Sequence, residues 1–100
     1  IIYTLDLEGN FTFITDSITR ELGYTVEELL NKSFIPLIDE KFVSTTFEIF
    51  TYILKEKNPV YNLEYQIKHK DGTRFWHSSN VYPVLDNEGN IISINGVATN

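Results

Sequence analysis

The side chains best suited to contact a ligand are those of His77 and Ser79, two residues apart, and of Tyr65 in the preceding apolar run. A neutral imidazole offers one hydrogen-bond donor and one acceptor, and a hydroxyl offers both. Because residues two apart point to the same face of a β-strand, His77 and Ser79 would present these groups side by side. Three interpretations of His77 stay open: a polar contact to a ligand, a metal ligand, or a core histidine paired with a backbone carbonyl or with Tyr65.

The direction in which His77 points depends on the turn at Lys70–Thr73, which reads Lys-Asp-Gly-Thr. A two-residue loop would turn Trp76 inward, whereas a three-residue loop with Gly72 in the left-handed bulge position would turn His77 inward. The sequence favours the three-residue loop, because Lys-Asp-Gly-Thr suits a type I turn followed by a bulge. We therefore expect His77 on the inner face of its strand and Trp76 on the outer face.

Small residues on the expected inner face, at Ser79, Gly96 and Ala98, leave space next to the sheet. Large side chains from the longest helix can fill the same space, since close packing is usual in protein interiors. A ligand-sized cavity and a filled core therefore both stay open. If a cavity exists, Thr46 can add a polar point, and we expect a small, mostly apolar or aromatic occupant. The residues expected to contact it are His77, Ser79, Tyr65, Phe47, Phe50 and Ala98.

Two aromatic residues, Trp76 and Tyr82, alternate with Ser78 and Asn80 and are expected on the outer face of the sheet. Exposed aromatic side chains on a sheet often mark a surface that binds another protein. The alternative is that they only cover the edge of the sheet. We expect Trp76 and Tyr82 to form an interface with a second copy of the chain or with a neighbouring domain.

No motif predicts catalysis. The chain has no Ser/His/Asp order, no glycine-rich phosphate loop and no His-Glu-x-x-His sequence. The paired carboxylates Glu27-Glu28 and Asp39-Glu40 stand where they would cap helices and complement the helix dipole. The absence of cysteine excludes disulfides, thiolate metal sites and a cysteine nucleophile. We therefore expect that the domain itself is not an enzyme, while the parent protein can be one, such as a sensor histidine kinase, and we assign no metal site.

Nearly the same turn sequence appears near both ends of the chain and predicts two hairpins. Residues 5–10 read LDLEGN and residues 85–90 read LDNEGN. The Gly-Asn pair in each tolerates the positive φ angles of a tight turn. After Pro59, apolar and polar residues alternate, which predicts a strand with one buried face. The expected strands are Ile1–Leu7, Phe11–Thr15, Tyr61–Lys68, Arg74–Val84 and Ile91–Thr99.

Two short helices are expected between the second and third strands. Either Asp16 or Ser17 can cap the first, and Gly23 is a natural residue to end it. The sequence Thr25–Glu28 is a capping box, in which the threonine hydroxyl and the glutamate carboxylate each accept a backbone amide. This box predicts a second helix that ends near Asn31.

A third and longest helix is expected from Asp39, its cap, to the residues before Pro59. Apolar residues along it recur at spacings of three and four, which predicts one buried stripe. The residues of the expected stripe are Phe42, Val43, Phe47, Phe50, Ile53 and Leu54.

Composition indicates a single domain over residues 1–100, with 42% hydrophobic residues and a formal net charge of −6. This acidity argues against nucleic acid and anionic membrane surfaces as partners. No apolar run approaches the roughly 20 residues of a membrane span, so we expect no membrane insertion by this segment. The absence of cysteine fits a reducing compartment, and the absence of methionine indicates a fragment of a larger protein. We expect it to be cytoplasmic, or the cytoplasmic portion of a membrane-anchored protein.

The element order and several motifs together resemble a PAS domain over essentially the whole chain. The motifs are Asp6–Ile14, Asp16–Tyr24, Thr25–Leu30, Lys70–Trp76, Pro83–Asp86 with Gly89, and Gly96–Thr99. The resemblance implies an α+β fold with a five-stranded antiparallel sheet of order 2-1-5-4-3 and helices covering one face. The chain departs from the family at Asp16, where asparagine is usual, and at Asn100, where the usual Asp-Ile-Thr exit would begin.

The resemblance also implies a sensory module of an intracellular signal transducer, such as the histidine kinase of a two-component system. Such a module binds a small ligand between helices and sheet and relays the change to an output domain. The alternative is a ligand-free PAS domain used for protein interaction and dimerisation. The blue-light members of the family need a cysteine, which is missing from Asn31–Ile35, so a covalent flavin adduct is excluded. Haem is not expected, because haem-binding members use a histidine of the long helix and residues 40–57 contain none. The cofactor, if any, is unknown.

Overall fold

The computed structural model describes all 100 residues and contains five strands and three α-helices. Two 3₁₀ turns, Ile35–Leu37 and Glu40–Phe42, connect the second helix to the third. The strands are β1 (Ile2–Leu5), β2 (Phe11–Ile14), β3 (Val60–Lys68), β4 (Arg74–Leu85) and β5 (Ile91–Thr99). The helices are α1 (Ser17–Leu22), α2 (Val26–Leu29) and α3 (Val43–Glu56). None of these helices has both the length and the apolar character needed to cross a membrane.

The five strands form one antiparallel sheet with the order β2-β1-β5-β4-β3. The first and last strands are neighbours, with Tyr3 opposite Gly96. Apolar side chains of all three helices pack on one face of the sheet, and Ile18, Ile53 and Ile94 are almost fully buried where the layers meet. The predicted fold class and strand order are confirmed.

The repeated turn forms the same structure at both ends of the chain. The Asp6 Oδ1 atom accepts the amides of Glu8 and Asn10 at 3.0 and 2.9 Å, and Asp86 does the same for residues 88 and 90 at 2.9 Å each. The glycines have φ angles of +86° at Gly9 and +82° at Gly89, which only glycine adopts without strain. The repeat is therefore hairpin chemistry used twice, as predicted.

The turn between β3 and β4 has the predicted three-residue form. The amide of His69 donates to the carbonyl of Thr73 at 2.7 Å, and Gly72 has a φ of +95°. This geometry places His77 directly opposite Tyr65, on the face that carries the helices. The expected register of β4 is thus confirmed.

The two short helices begin in different ways. At α2 the capping box is complete, since the Thr25 hydroxyl accepts the Glu28 amide at 3.1 Å and the Glu28 carboxylate accepts the Thr25 amide at 2.7 Å. At α1 the predicted side-chain cap is absent. Asp16 occupies the cap position but already has helical backbone angles (φ −58°, ψ −22°), whereas a capping side chain needs an extended backbone to reach the first amides.

Helix α3 buries a face centred on Thr46, Phe50 and Ile53. The prediction that Phe47 belongs to this face is wrong, because Phe47 is 51% exposed. Each residue turns the helix by about 100°, so the residue after Thr46 lies on the flank of the buried face. Thr46 can be buried although it is polar, because its hydroxyl donates to helix carbonyls at 3.0 and 3.1 Å.

The residues before α3 close the free edge of β3. The amide of Asp39 donates to the carbonyl of Gln66 at 2.9 Å, and its carboxylate accepts the Lys41 amide at 2.9 Å and Arg74 Nε at 2.7 Å. The Lys41 amide, followed by Arg74, lowers the pKa of Asp39. Asp39 thus caps the 3₁₀ turn that leads into α3, rather than α3 itself.

Candidate functional site

A cavity of about 70 Å³ lies between the sheet and the helices. Hydrophobic residues make up 17 of the 19 that line it. Four of the six predicted contact residues line it, namely His77, Tyr65, Phe50 and Ala98. Phe47 does not, because it points away from the sheet, and neither does Ser79, which is fully buried beside the cavity.

The Ser79 hydroxyl is held by two tyrosines. The hydroxyl of Tyr65 is 2.7 Å from Ser79 Oγ, and the hydroxyl of Tyr3 donates to the same oxygen at 3.3 Å. Burial is the main cause that raises the pKa of both tyrosines, so both phenols stay neutral. These three hydroxyls therefore use one another as partners and leave little hydrogen-bonding capacity for a ligand.

Tyr3 is a site residue that the sequence analysis missed. Its ring covers Gly96, where a Cβ atom, if one were added, would lie only 2.1 Å from the tyrosine ring. The space next to Gly96 is thus filled by an aromatic side chain of β1, and not by one from the long helix. The signal that could have revealed it is a glycine in mid-strand, which often marks a close approach by a neighbour.

His77 is the polar group of the cavity without a partner. Its side chain is 2% exposed, and neither Nδ1 nor Nε2 makes a hydrogen bond. The nearest aromatic neighbour is Tyr65, whose ring centroid is 6.2 Å away, while the tyrosine hydroxyl is directed to Ser79. The interpretation of His77 as a core histidine paired with a carbonyl or with Tyr65 is therefore wrong.

Burial lowers the pKa of His77, because the apolar surroundings disfavour the imidazolium ion. The charge of Glu21 acts in the opposite direction, as does the side chain of Asn100, which lies near the ring but outside hydrogen-bonding geometry. The imidazole is consequently neutral near pH 7, with one N–H donor and one acceptor nitrogen, both buried and unpaired. No group of three or more His, Asp or Glu side chains lies close enough together to hold a metal ion.

The outer face of the sheet carries partly exposed aromatic and other apolar side chains. Trp76 is 56% exposed and Tyr82 is half-buried, and each contacts an aromatic ring, Phe42 at 5.4 Å and Tyr61 at 5.7 Å between centroids. Further exposed apolar residues of this face are Ile2, Phe13 and Val97. We refer to Trp76, Tyr82, Tyr61, Val97, Ile2 and Phe13 as the outer patch.

On β4 and β5 the outer face carries few charged residues, although charged residues make up 22% of the chain and the edge strand β3 places Glu64 and Lys68 on the same face. Along β4 the side chains that alternate onto this face are Arg74, Trp76, Ser78, Asn80, Tyr82 and Val84, of which only the first is charged. On β5 the corresponding residues Asn95, Val97 and Thr99 are all uncharged. Depletion of charge together with exposed aromatic side chains is typical of the core of a protein interface.

Comparison with known proteins identifies the family. A family model described as the PAS fold matches residues 11–98, so the chain belongs to the PAS family. The aryl hydrocarbon receptor nuclear translocator homolog of Drosophila melanogaster is 30% identical over 80 residues, which are 80% of this chain and 12% of that protein. The chain therefore spans about an eighth of the length of this relative.

Solved structures share the fold at lower sequence identity. The PAS-B domain of Drosophila melanogaster Cycle with bound ethylene glycol has a TM-score of 0.88 and 20% identity, covering 98% of this chain and 96% of that one. A tryptophan-to-alanine variant of that domain with bound glycerol gives the same values. The N-terminal domain of a diguanylate cyclase with a PAS/PAC sensor from Marinobacter aquaeolei has a TM-score of 0.86 and 16% identity, covering 99% and 92%. PAS domains are sensory and interaction modules rather than catalysts.

Proposed function

We propose that this PAS domain is a sensor that binds a small molecule in the cavity between sheet and helices. The observation that carries the proposal is His77, which lines the cavity and whose two ring nitrogens are buried and unpaired. An unpaired buried polar group destabilises a fold by about 1–3 kcal/mol. A ligand that pairs with one of these nitrogens recovers part of that free energy, which gives binding a driving force beyond apolar contact.

The signal leaves through the sheet. Strand β4 carries His77 on one face and Trp76 on the other, so a shift of the strand on ligand binding reaches the outer patch directly. Binding would then change the population of two arrangements of helices on sheet, and an attached output domain would respond to that change. A cytoplasmic transducer with a histidine kinase or a similar output domain fits this scheme.

Native mass spectrometry of the freshly purified protein tests the proposal, with the denatured mass as reference and an absorbance scan alongside. We expect extra mass that is lost on denaturation, which gives the size of the ligand directly. A visible absorbance band would indicate a flavin or haem instead. A bare native mass, unchanged after incubation with cell extract, would contradict the sensor proposal.

A second candidate function is protein interaction through the outer patch, favoured by its lack of charge. Its occupant is a second copy of the chain, because the six residues of the patch are themselves uncharged and can pack on the same patch of another copy. We expect Trp76→Ala to shift the protein towards monomer in sedimentation velocity. The matched control is Phe75→Ala, which removes the neighbouring aromatic residue from the opposite side of the strand. Equal sedimentation of the wild type and both variants would overturn this candidate.

A further inference from the structure

The size of the cavity restricts its occupant. At about 70 Å³ it has roughly half the volume of a 150 Å³ protein cavity that holds benzene, and several times the ~10–15 Å³ that one water needs. By this comparison the occupant has about three or four non-hydrogen atoms. The fold as it stands therefore admits a very small organic molecule, and larger ligands would require the helices to move.

The hydrogen-bonding groups of the cavity restrict it further. Of the polar side chains that line it, Tyr3 and Tyr65 are paired with Ser79, and Thr46 is paired with carbonyls of its own helix. His77 alone has a donor and an acceptor to offer. A cluster of waters would find too few partners here, because a buried water usually makes about three hydrogen bonds.

The absence of charged side chains in the cavity wall also limits the charge that the ligand can carry. The cavity wall contains no acidic, lysine or arginine side chain, and the pKa of His77 is lowered by burial. An ion taken into such a space loses its hydration without a compensating charge, which is strongly unfavourable. A neutral molecule avoids this penalty and can still pair with the imidazole.

We propose that the cavity selects a small neutral molecule that carries one hydroxyl or primary amide group on a short apolar body, with the polar group held by His77. Both groups can donate and accept a hydrogen bond, so either one can pair with whichever ring nitrogen of the neutral imidazole it reaches, the N–H donor or the acceptor. The apolar body fits the 17 hydrophobic residues of the wall. This inference rests on the proposed sensor function and names the chemistry of its ligand.

The test uses three probes on the whole protein. Xenon, followed by ¹²⁹Xe NMR, reports whether the cavity is accessible without any need for hydrogen bonding. 2-Propanol, followed by the ¹⁵N resonances of the histidine rings, reports the predicted contact. Acetate, of similar size but charged, reports whether an anion is preferred.

We expect xenon to bind, and 2-propanol to shift the His77 ring resonances but not those of His69. His77→Phe should weaken 2-propanol at least about fivefold, as loss of one hydrogen bond implies, and should leave xenon binding in place. His77→Gln keeps a donor and an acceptor and should retain 2-propanol. His69→Phe, which removes the other histidine of the chain, is the matched control and should behave as the wild type.

The outcomes separate this inference from the sensor proposal. If xenon does not bind, the cavity is closed and both fail. If xenon binds but 2-propanol leaves the His77 ring unaffected, only the inference about ligand chemistry fails. Tighter binding of acetate than of 2-propanol, with proton uptake, would also overturn it, because the site would then be an anion site. The ring resonances are measured on the wild type, so the test stands even if His77→Phe does not fold.

Discussion

The two faces of β4 differ in how completely their side chains are partnered within the fold. On the inner face, Ser79 is held by two tyrosine hydroxyls, and next to it His77 is buried with none. On the outer face, Trp76 and Tyr82 are partly open to solvent, and the side chains between them on β4, Ser78 and Asn80, are uncharged. The inner face thus has an unpaired buried imidazole that a small molecule can hydrogen-bond. The outer face has exposed apolar area that only another protein surface is large enough to cover.

Because of this contrast, inner-face substitutions should mainly change stability, and outer-face substitutions should mainly change binding to another protein surface. An inner-face substitution disturbs close-packed neighbours and should lower the free energy of unfolding. An outer-face substitution at the next residue of the same strand should leave it almost unchanged. Pairs of adjacent residues therefore test the contrast with the local sequence held nearly constant.

The largest effect is expected at Gly96, compared with its neighbour Val97. In Gly96→Ala the new methyl group would overlap the Tyr3 ring, and displacing that ring should lower the free energy of unfolding by about 2–3 kcal/mol. Val97→Ala on the outer face should lower it by less than about 1 kcal/mol. Urea unfolding followed by circular dichroism measures both. Equal losses would mean that Tyr3 does not cover Gly96.

The next largest effect is expected for the adjacent serines of β4. Ser79→Ala leaves the buried Tyr65 hydroxyl without its 2.7 Å partner and should lower the free energy of unfolding by about 2 kcal/mol. Ser78→Ala, whose side chain points outward, should change it by less than about 0.5 kcal/mol. Chemical denaturation under the same conditions measures the difference. A Ser78 effect as large as that of Ser79 would contradict the assigned register.

Stability should depend on pH through His77. Its pKa is lowered in the folded protein, so below the unfolded value of about 6.5 the unfolded chain binds a proton that the folded chain does not. The free energy of unfolding should be constant above pH 6.5 and should fall below it, by up to about 1.4 kcal/mol per pH unit. Urea midpoints measured between pH 8 and pH 5 test this.

His77→Gln is the control for the pH profile and should flatten it in this window. Carboxylates whose pKa is lowered, such as Asp6 and Asp39, lose their stabilising contribution only at more acidic pH, below about 4. They therefore do not account for a change between pH 6.5 and 5. A profile that is equally steep in His77→Gln would show that another group is responsible.

The smallest difference in the free energy of unfolding is expected when the two repeated hairpin turns are compared. Gly9→Ala and Gly89→Ala both force alanine into a left-handed conformation, which costs about 1–2 kcal/mol in each case. At Gly9 the added methyl group would also lie 3.2 Å from the Phe34 ring, whereas at Gly89 it meets open space. We expect Gly9→Ala to be the more destabilising by up to about 1 kcal/mol, measured by thermal unfolding. The reverse order would contradict the packing of the first turn against the helices.

Much of this contrast could be predicted from local sequence. The turn chemistry at Lys70–Thr73 determined the register of β4, and this register placed His77 inward and Trp76 outward. The capping box at Thr25–Glu28 and the paired hairpin turns were equally local and equally reliable. Each depends on a few neighbouring residues whose conformation is set by short-range hydrogen bonds.

What could not be predicted depends on residues far apart in sequence. Tyr3 reaches Gly96 and Ser79 only because β1 lies beside β5, and no local sequence pattern predicts that these two strands are neighbours. Its helical spacing predicts that Phe47 lies in the buried stripe, yet the centre of the buried face lies on Thr46, whose hydroxyl donates to a carbonyl at the start of the same helix. The unpaired state of His77 likewise follows from where Tyr65 directs its hydroxyl, which is a property of the assembled core.

The most direct test of the division between the two faces is the methyl spectrum of the protein during titration with 2-propanol. Ala98 lines the cavity and Val97 belongs to the outer patch, although the two residues are adjacent in the chain. We expect the Ala98 methyl resonance to shift and saturate while the Val97 methyl resonances stay in place. Saturable shifts of the Val97 methyl groups with an unchanged Ala98 would contradict the division, because the ligand would then bind the outer face.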